Sequence, residues 1–247
     1  MSPAGSPPDL HVLDTPEQVA HAGATRFVNL AREAIEAKGN FSVALAGGNT
    51  PKRVYELLAS EEFEGAVAWP HVHLFFGDER CVPHDDPASN YRMANEALLS
   101  HVAVPAANVH RIEGRGDAKA NASLYEDALR GYFGDTEWPR FDLILLGMGD
   151  DGHTASLFPN SDALDEQSKW VAANRVAKLD AWRITLTAPV INHAAHILFI
   201  VTGESKSVSL KGVLRDPHDP ARLPAQLIRP FAGLVEWFVD RAAASRL

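Results

Sequence analysis

Four short stretches of this chain, and one separate arginine, hold residue types that could do chemistry. Asp150-Asp151-Gly152-His153 sets a histidine beside carboxylates on a glycine turn. Imidazole exchanges its proton near neutral pH, so this stretch is a candidate general base with a carboxylate at hand. Gly47-Gly48-Asn49-Thr50-Pro51 joins an apolar run to a helix start. Glycines let the backbone approach a ligand, and unpaired N–H groups at a helix N-terminus favour phosphate. The pentapeptide is equally compatible with an ordinary turn in which Thr50 caps the helix. Gly77-Asp78-Glu79-Arg80 offers a guanidinium suited to gripping phosphate through two parallel hydrogen bonds, or else a surface salt-bridge cluster of small consequence. Gly203-Glu204-Ser205-Lys206 puts an ammonium at another helix start, where it can serve an anion as a point charge. Arg183 heads the run Arg183-Ile184-Thr185-Leu186-Thr187 and, by itself, reads as a strand-end side chain in solvent.

Other chemistries lose their residues on inspection. Gly147-Met148-Gly149-Asp150-Asp151-Gly152 has the spacing of a dinucleotide-binding turn, but two acids stand where a pyrophosphate would sit and Pro159 interrupts the helix that should follow. No Gly-x-Ser-x-Gly elbow and no P-loop occur. Cys81 is the only cysteine, which excludes an internal disulfide framework and a multi-cysteine zinc site; it reads as a packing residue. His71 and His73 are spaced to share one face of a strand, yet no third ligand is placed beside them, so no metal site is expected.

These residues need elements to hold them. Thr15-Pro16-Glu17-Gln18 predicts a capped helix start, with apolar Val19, Gly23, Phe27, Leu30 and Ala34 at helical spacing up to Lys38-Gly39. Apolar runs at 41–46, 72–76, 141–146, 183–186 and 197–201 predict strands. Helices are expected from Thr50 to 58, near 89–99, from Asp117 to 132 and from 203 onward. Near-continuously apolar strands alternating with helices predict an α/β fold, a mostly parallel open sheet with helices on both faces, Rossmann-like. In such sheets ligands bind beyond the carboxyl ends of the strands. The stretches at 47–50, 77–80, 147–154 and 203–206 all fall there. Residues 1–10, with three prolines, read as a flexible leader, and 11–247 as a single domain.

The chain has 247 residues, 46% of them hydrophobic, with 23 Lys plus Arg against 32 Asp plus Glu, a formal charge of −9. That background disfavours nucleic acid and anionic membranes. No apolar run approaches a membrane span and no secretory leader is recognisable, so a cytoplasmic protein is expected. An anionic small substrate remains possible only if cations gather locally.

Taken together, the segments resemble the 6-phosphogluconolactonases. The resemblance rests on Ala46 to Pro51, Phe76 to Arg80 with Ser89-Asn90-Tyr91, Gly147 to Pro159, Arg183 to Thr187, Gly203 to Lys206 and Leu223-Pro224-Ala225-Gln226, in family order from about residue 12 to 240. It implies the sugar-phosphate isomerase/deaminase-like fold and hydrolysis of 6-phospho-D-glucono-1,5-lactone without cofactor or metal; a monomer or weak homo-oligomer is expected. It further implies that His153 deprotonates the attacking water and that Asp151 orients the imidazole or adjusts its pKa. Asn49, Thr50, Arg80 and Lys206 would hold phosphate with backbone from Gly47 and Gly48, Arg183 would reach the substrate's polar groups, and Asp78 its hydroxyls. The related sugar-phosphate deaminases and isomerases carry a glutamate five residues after that histidine; here the position is Phe158, which cannot transfer protons. A non-catalytic sugar-phosphate sensor would need a DNA-binding segment, for which no room is expected before Thr15, and would have no use for His153.

Overall fold

Four of the five apolar runs, at 41–46, 72–76, 141–146 and 197–201, supply strands of a six-stranded, all-parallel sheet in the computed structural model, which describes residues 9–247. In chain order the elements are β1 (Asp9–Leu13), α1 (Pro16–Lys38), β2 (Phe41–Leu45), α2 (Asn49–Leu58), β3 (Val72–Phe76), β4 (Asp78–Arg80), α3 (Asn90–Ala94), α4 (Ala118–Phe133), β5 (Leu143–Leu146), β6 (Val171–Val176), β7 (Ala181–Leu186), α5 (Ala188–Asn192), β8 (His196–Val201), α6 (Ser207–Arg215) and β9 (Leu234–Asp240). The large sheet runs β1-β9-β8-β5-β2-β3. Helices cover both faces, so β2 and β5 are buried along their whole length, as parallel strands must be. From β2 the chain steps to β3 on one side, then crosses to β5 on the other. The order therefore reverses between β2 and β5. Their carboxyl ends open the crevice where a ligand can sit.

The predicted start of α1 is realised: Thr15 accepts from Gln18 N at 3.2 Å, and Gln18 Oε1 accepts from Asp14 N at 2.8 Å. Gly39, at φ +84°, ends the helix in the left-handed conformation glycine adopts without strain. Two buried tyrosines then fix the strand ends beneath the crevice. Tyr55 of α2 donates to Ala46 O at 2.8 Å and accepts from Ala46 N at 2.9 Å. Tyr125 of α4 does the same for Phe76, at 3.0 and 2.9 Å. Each phenol satisfies main-chain groups that a buried, opening ladder would leave unpaired, a loss of about 1–3 kcal/mol per group. Burial pushes both hydroxyls well above the usual phenol range.

Several expectations are corrected here. Arg183 does not head a strand of the parallel sheet. It is the third residue of β7, which belongs to a separate antiparallel sheet of order β4-β7-β6. Gly77 is the hinge between the two: its N–H donates to Leu45 O at 2.9 Å, while its carbonyl accepts from Leu186 N at 2.8 Å. The leader boundary also moves, because Asp9 and Leu10 pair with Glu236 and Trp237 as the start of β1; residues 1–8 lie outside the described residues. His71 lies in a 3-10 turn before β3, its Nδ1 donating to Gly39 O at 3.1 Å, so it shares no strand face with His73. The helix near 89–99 is α3 followed by a π-helical turn over Asn95–Leu99. No helix follows Gly152, in keeping with the rejected dinucleotide reading; the chain continues through turns past Pro159.

Candidate active site

The loop leaving β5 folds back on itself. Gly149 N donates to His153 O at 2.9 Å and Gly152 N to Gly149 O at 3.0 Å, with Gly152 at φ +76°. Thr154 Oγ1 ties the far side of the loop to Gly147 O at 2.8 Å. This closure brings Asp151 against His153, a contact that spacing alone did not establish. Asp151 Oδ1 lies 2.6 Å from His153 Nδ1 and accepts the His153 main-chain N–H at 3.2 Å. An ionised carboxylate accepts only, so Nδ1 carries a proton, and in the neutral ring that leaves the lone pair on Nε2. Burial works against the Asp151 charge, but hydrogen bonds from His153 and Lys178 outweigh it and hold the carboxyl well below its usual range. Phe158 stacks on the imidazole, with ring centroids 4.1 Å apart and planes 21° apart. Space is so tight that a Cβ on Gly149 would stand 2.0 Å from His153 Nδ1.

Cations gather opposite. Register between β4 and β7 makes Arg80 and Arg183 cross-strand partners. Their side chains donate to main-chain carbonyls, Arg80 to Ala88 O and Arg183 to Trp182 O. Burial and the neighbouring Arg80 charge lower the Arg183 pKa, the mark of two like charges held together. Lys206 ion-pairs with Asp150, whose carboxyl it pulls below the usual range. At the start of α2, Gly48 stands at φ +104° and no side chain caps the helix. Thr50 is not the cap: it lies inside the helix, its Oγ1 2.8 Å from Thr202 Oγ1. The first N–H groups of α2 thus lack a side-chain partner at the crevice, the arrangement that suits an anion.

Asp78 is buried and engaged on both oxygens, accepting from Ser156 Oγ at 2.6 Å and Asn90 Nδ2 at 3.2 Å. Asn90 also donates to Asp78 O at 2.9 Å, and a Cβ on Gly47 would stand 2.0 Å from its Oδ1. Glycine at 47 is therefore a packing requirement. The buried Glu79 accepts from the N–H groups of Arg80, Asn90 and Tyr91 and from Ser89 Oγ, so it builds the start of α3 rather than the site.

Gly47, Gly48, Asn49, Thr50, Asp78, Arg80, His153, Arg183 and Lys206 all line one cleft of about 550 Å³; Asp151 stands behind His153, just outside the lining. The sequence did not point to Lys178 or Thr202 as parts of this construction, and it singled out the segments holding Asn90 and Ser156 without giving either residue a role. A second hollow of about 450 Å³, between α4 and β6, holds none of the expected residues.

Residues 14–237 match the family described as glucosamine-6-phosphate isomerases/6-phosphogluconolactonase. A 6-phosphogluconolactonase of Synechocystis sp. is 41% identical over 218 residues, 87% of this chain and 88% of the relative. The solved 6-phosphogluconolactonase of Trypanosoma cruzi superposes with a TM-score of 0.88 at 31% identity, covering 97% of each chain. A monomeric glucosamine-6-phosphate deaminase shares the fold, with a TM-score of 0.82 at 21% identity over 97% of this chain and the whole of that one. The matched span and the likeness to these relatives agree: the chain belongs to the glucosamine-6-phosphate isomerase/6-phosphogluconolactonase family.

Proposed function

We propose that the protein is a 6-phosphogluconolactonase, hydrolysing 6-phospho-D-glucono-1,5-lactone to 6-phosphogluconate. The observation that carries this reading is the 2.6 Å contact between His153 Nδ1 and Asp151, at the wall of a cleft lined by four cations, Arg80, Lys178, Arg183 and Lys206. His153 Nε2 takes a proton from water as its oxygen bonds to the lactone carbonyl carbon. The ring C–O bond then breaks, and the imidazolium returns the proton to the departing ring oxygen. Asp151 holds the tautomer and stabilises the transient cation. A δ-lactone is already electrophilic, so positioning plus one base suffices.

The α2 N-terminus with Gly47, Gly48, Asn49 and Thr50, together with Arg80 and Lys206, would hold the phosphate, which competes with Asp150 for Lys206. Arg183, beside Arg80, would reach the carbonyl or the phosphate edge. Asp78 can still accept from a substrate hydroxyl, but its bonds to Ser156 and Asn90 make it first a support for the wall. No helix among the described residues is long and apolar enough to cross a membrane.

Deaminase or isomerase chemistry is disfavoured by Phe158, an apolar ring stacked on His153 at the sequence position where the related deaminases and isomerases carry a glutamate. The test is turnover of the purified protein with the lactone, corrected for spontaneous opening, beside ammonia release from glucosamine 6-phosphate. Lactone opening without ammonia is expected. Ammonia release with no acceleration of lactone opening would overturn the reading.

A further inference from the structure

Lys178 lies on the turn Ala177–Leu179 that joins β6 to β7, in a stretch that carries no recognisable motif. Its Nζ ion-pairs with Asp151 Oδ2, the oxygen that His153 leaves free. The same ammonium stands 5.2 Å from the centroid of Phe158, the ring stacked on His153. One cation therefore touches both groups that touch the imidazole. Its neighbours are otherwise engaged: Asp150 is taken by Lys206, and Asp180 on the same turn is taken by Arg175. The turn also leads into β7, so Lys178 and Arg183 are carried by one hairpin.

Resting on the lactonase reading, we infer that Lys178 is a positioning residue for the base. It anchors one Asp151 oxygen so that the other stays on Nδ1 and Nε2 stays available for water. It also offsets a carboxylate charge that, left alone, would favour the protonated imidazole and remove the base at neutral pH. Together with the Phe158 contact, it ties the hairpin that carries Arg183 to the orientation of His153.

The test compares Lys178→Met, Lys178→Arg and Arg175→Gln, the last removing the hairpin's other ion pair without touching Asp151. In Lys178→Met, kcat falls roughly tenfold, as for loss of a partner that orients a ligating or reacting histidine, while KM changes little. The acid limb of kcat/KM moves up by about half a pH unit, the size expected for one nearby charge in a partly solvated site. Lys178→Arg restores the limb, and Arg175→Gln leaves it where it was. Imidazole ¹H–¹⁵N spectra read the same shift directly: His153 keeps its second proton to higher pH in Lys178→Met. An unmoved limb and an unmoved His153 titration in Lys178→Met overturn the inference, as does an equal shift in Arg175→Gln. The spectra report on the His153–Asp151 pair whether or not lactone is turned over. A wild-type protein that opens no lactone therefore refutes the function alone, and the titration still decides the role of Lys178.

Discussion

Gly149→Ala isolates the geometry of the base from everything that binds substrate. Gly149 is not among the residues with positive φ, so alanine suits its backbone. The added Cβ would nonetheless stand 2.0 Å from His153 Nδ1, 2.2 Å from Cε1 and 2.7 Å from Asp151 Oδ1, where real Cβ contacts begin at about 3.0 Å. The imidazole must therefore retreat by about 1 Å, and the 2.6 Å bond to Asp151 cannot survive in place. A displacement of that size at a reacting group costs on the order of 10²-fold in rate, about 2.7 kcal/mol of transition-state stabilisation. Asp151 and His153 are partly exposed, so the pair can swing toward solvent and thermal stability should change by no more than a few degrees. The assay follows 6-phosphogluconate formation from the lactone, with product affinity measured by calorimetry. A roughly hundredfold loss of kcat with nearly unchanged product affinity is expected. Turnover within a few-fold of wild type would refute the claim that His153 must sit against Asp151.

Lys206→Ala and Arg80→Ala should mainly raise KM for the lactone, the mark of lost uniform binding, and unchanged KM in both would remove the phosphate assignment. Glu79→Ala leaves three main-chain N–H groups and Ser89 without their acceptor in a buried site. It should cost about 3 kcal/mol, or roughly 10 °C in melting temperature; a shift below 2 °C would contradict that role. His110 stacks on Phe75 at 4.2 Å and lies 3.4 Å from His73, and burial first, then His73, holds it down to about 4. Between pH 6.5 and 4 the unfolded chain binds a proton there that the fold does not, so stability falls as pH is lowered through this window. Melting curves across it should be flatter for His110→Phe than for wild type, and parallel curves would refute the assignment.

The parts of the fold legible in the sequence are those that a single local pattern dictates. Buried parallel strands such as 72–76 read as unbroken apolar runs, and α1 carries its own cap in Thr15 and Gln18. The second sheet was not legible, because β4 is three residues long and β6, Val-Ala-Ala-Asn-Arg-Val, mixes small and polar residues without an apolar run. β9 hid for another reason. Glu236 and Asp240 interrupt its apolar run, and only tertiary partners (Arg26 for the one, the Gly203 and Ala243 N–H groups for the other) make their burial tolerable. In the site, His153, Arg80 and Lys206 announce themselves by residue type at strand ends. Lys178 and Ser156 do not, since their roles arise from contacts 27 and 78 residues away in sequence. Nor does a composition of net charge −9 reveal that Arg80 and Arg183 face one another across two strands.

The most direct test of the central claim is His153→Ala, assayed for lactone opening while 6-phosphogluconate binding is measured on the same preparation. The base and the anion-holding groups come from different elements, so the account predicts that kcat falls by a factor on the order of 10² or more while the product dissociation constant stays near that of wild type. Near wild-type turnover in this variant would contradict the account.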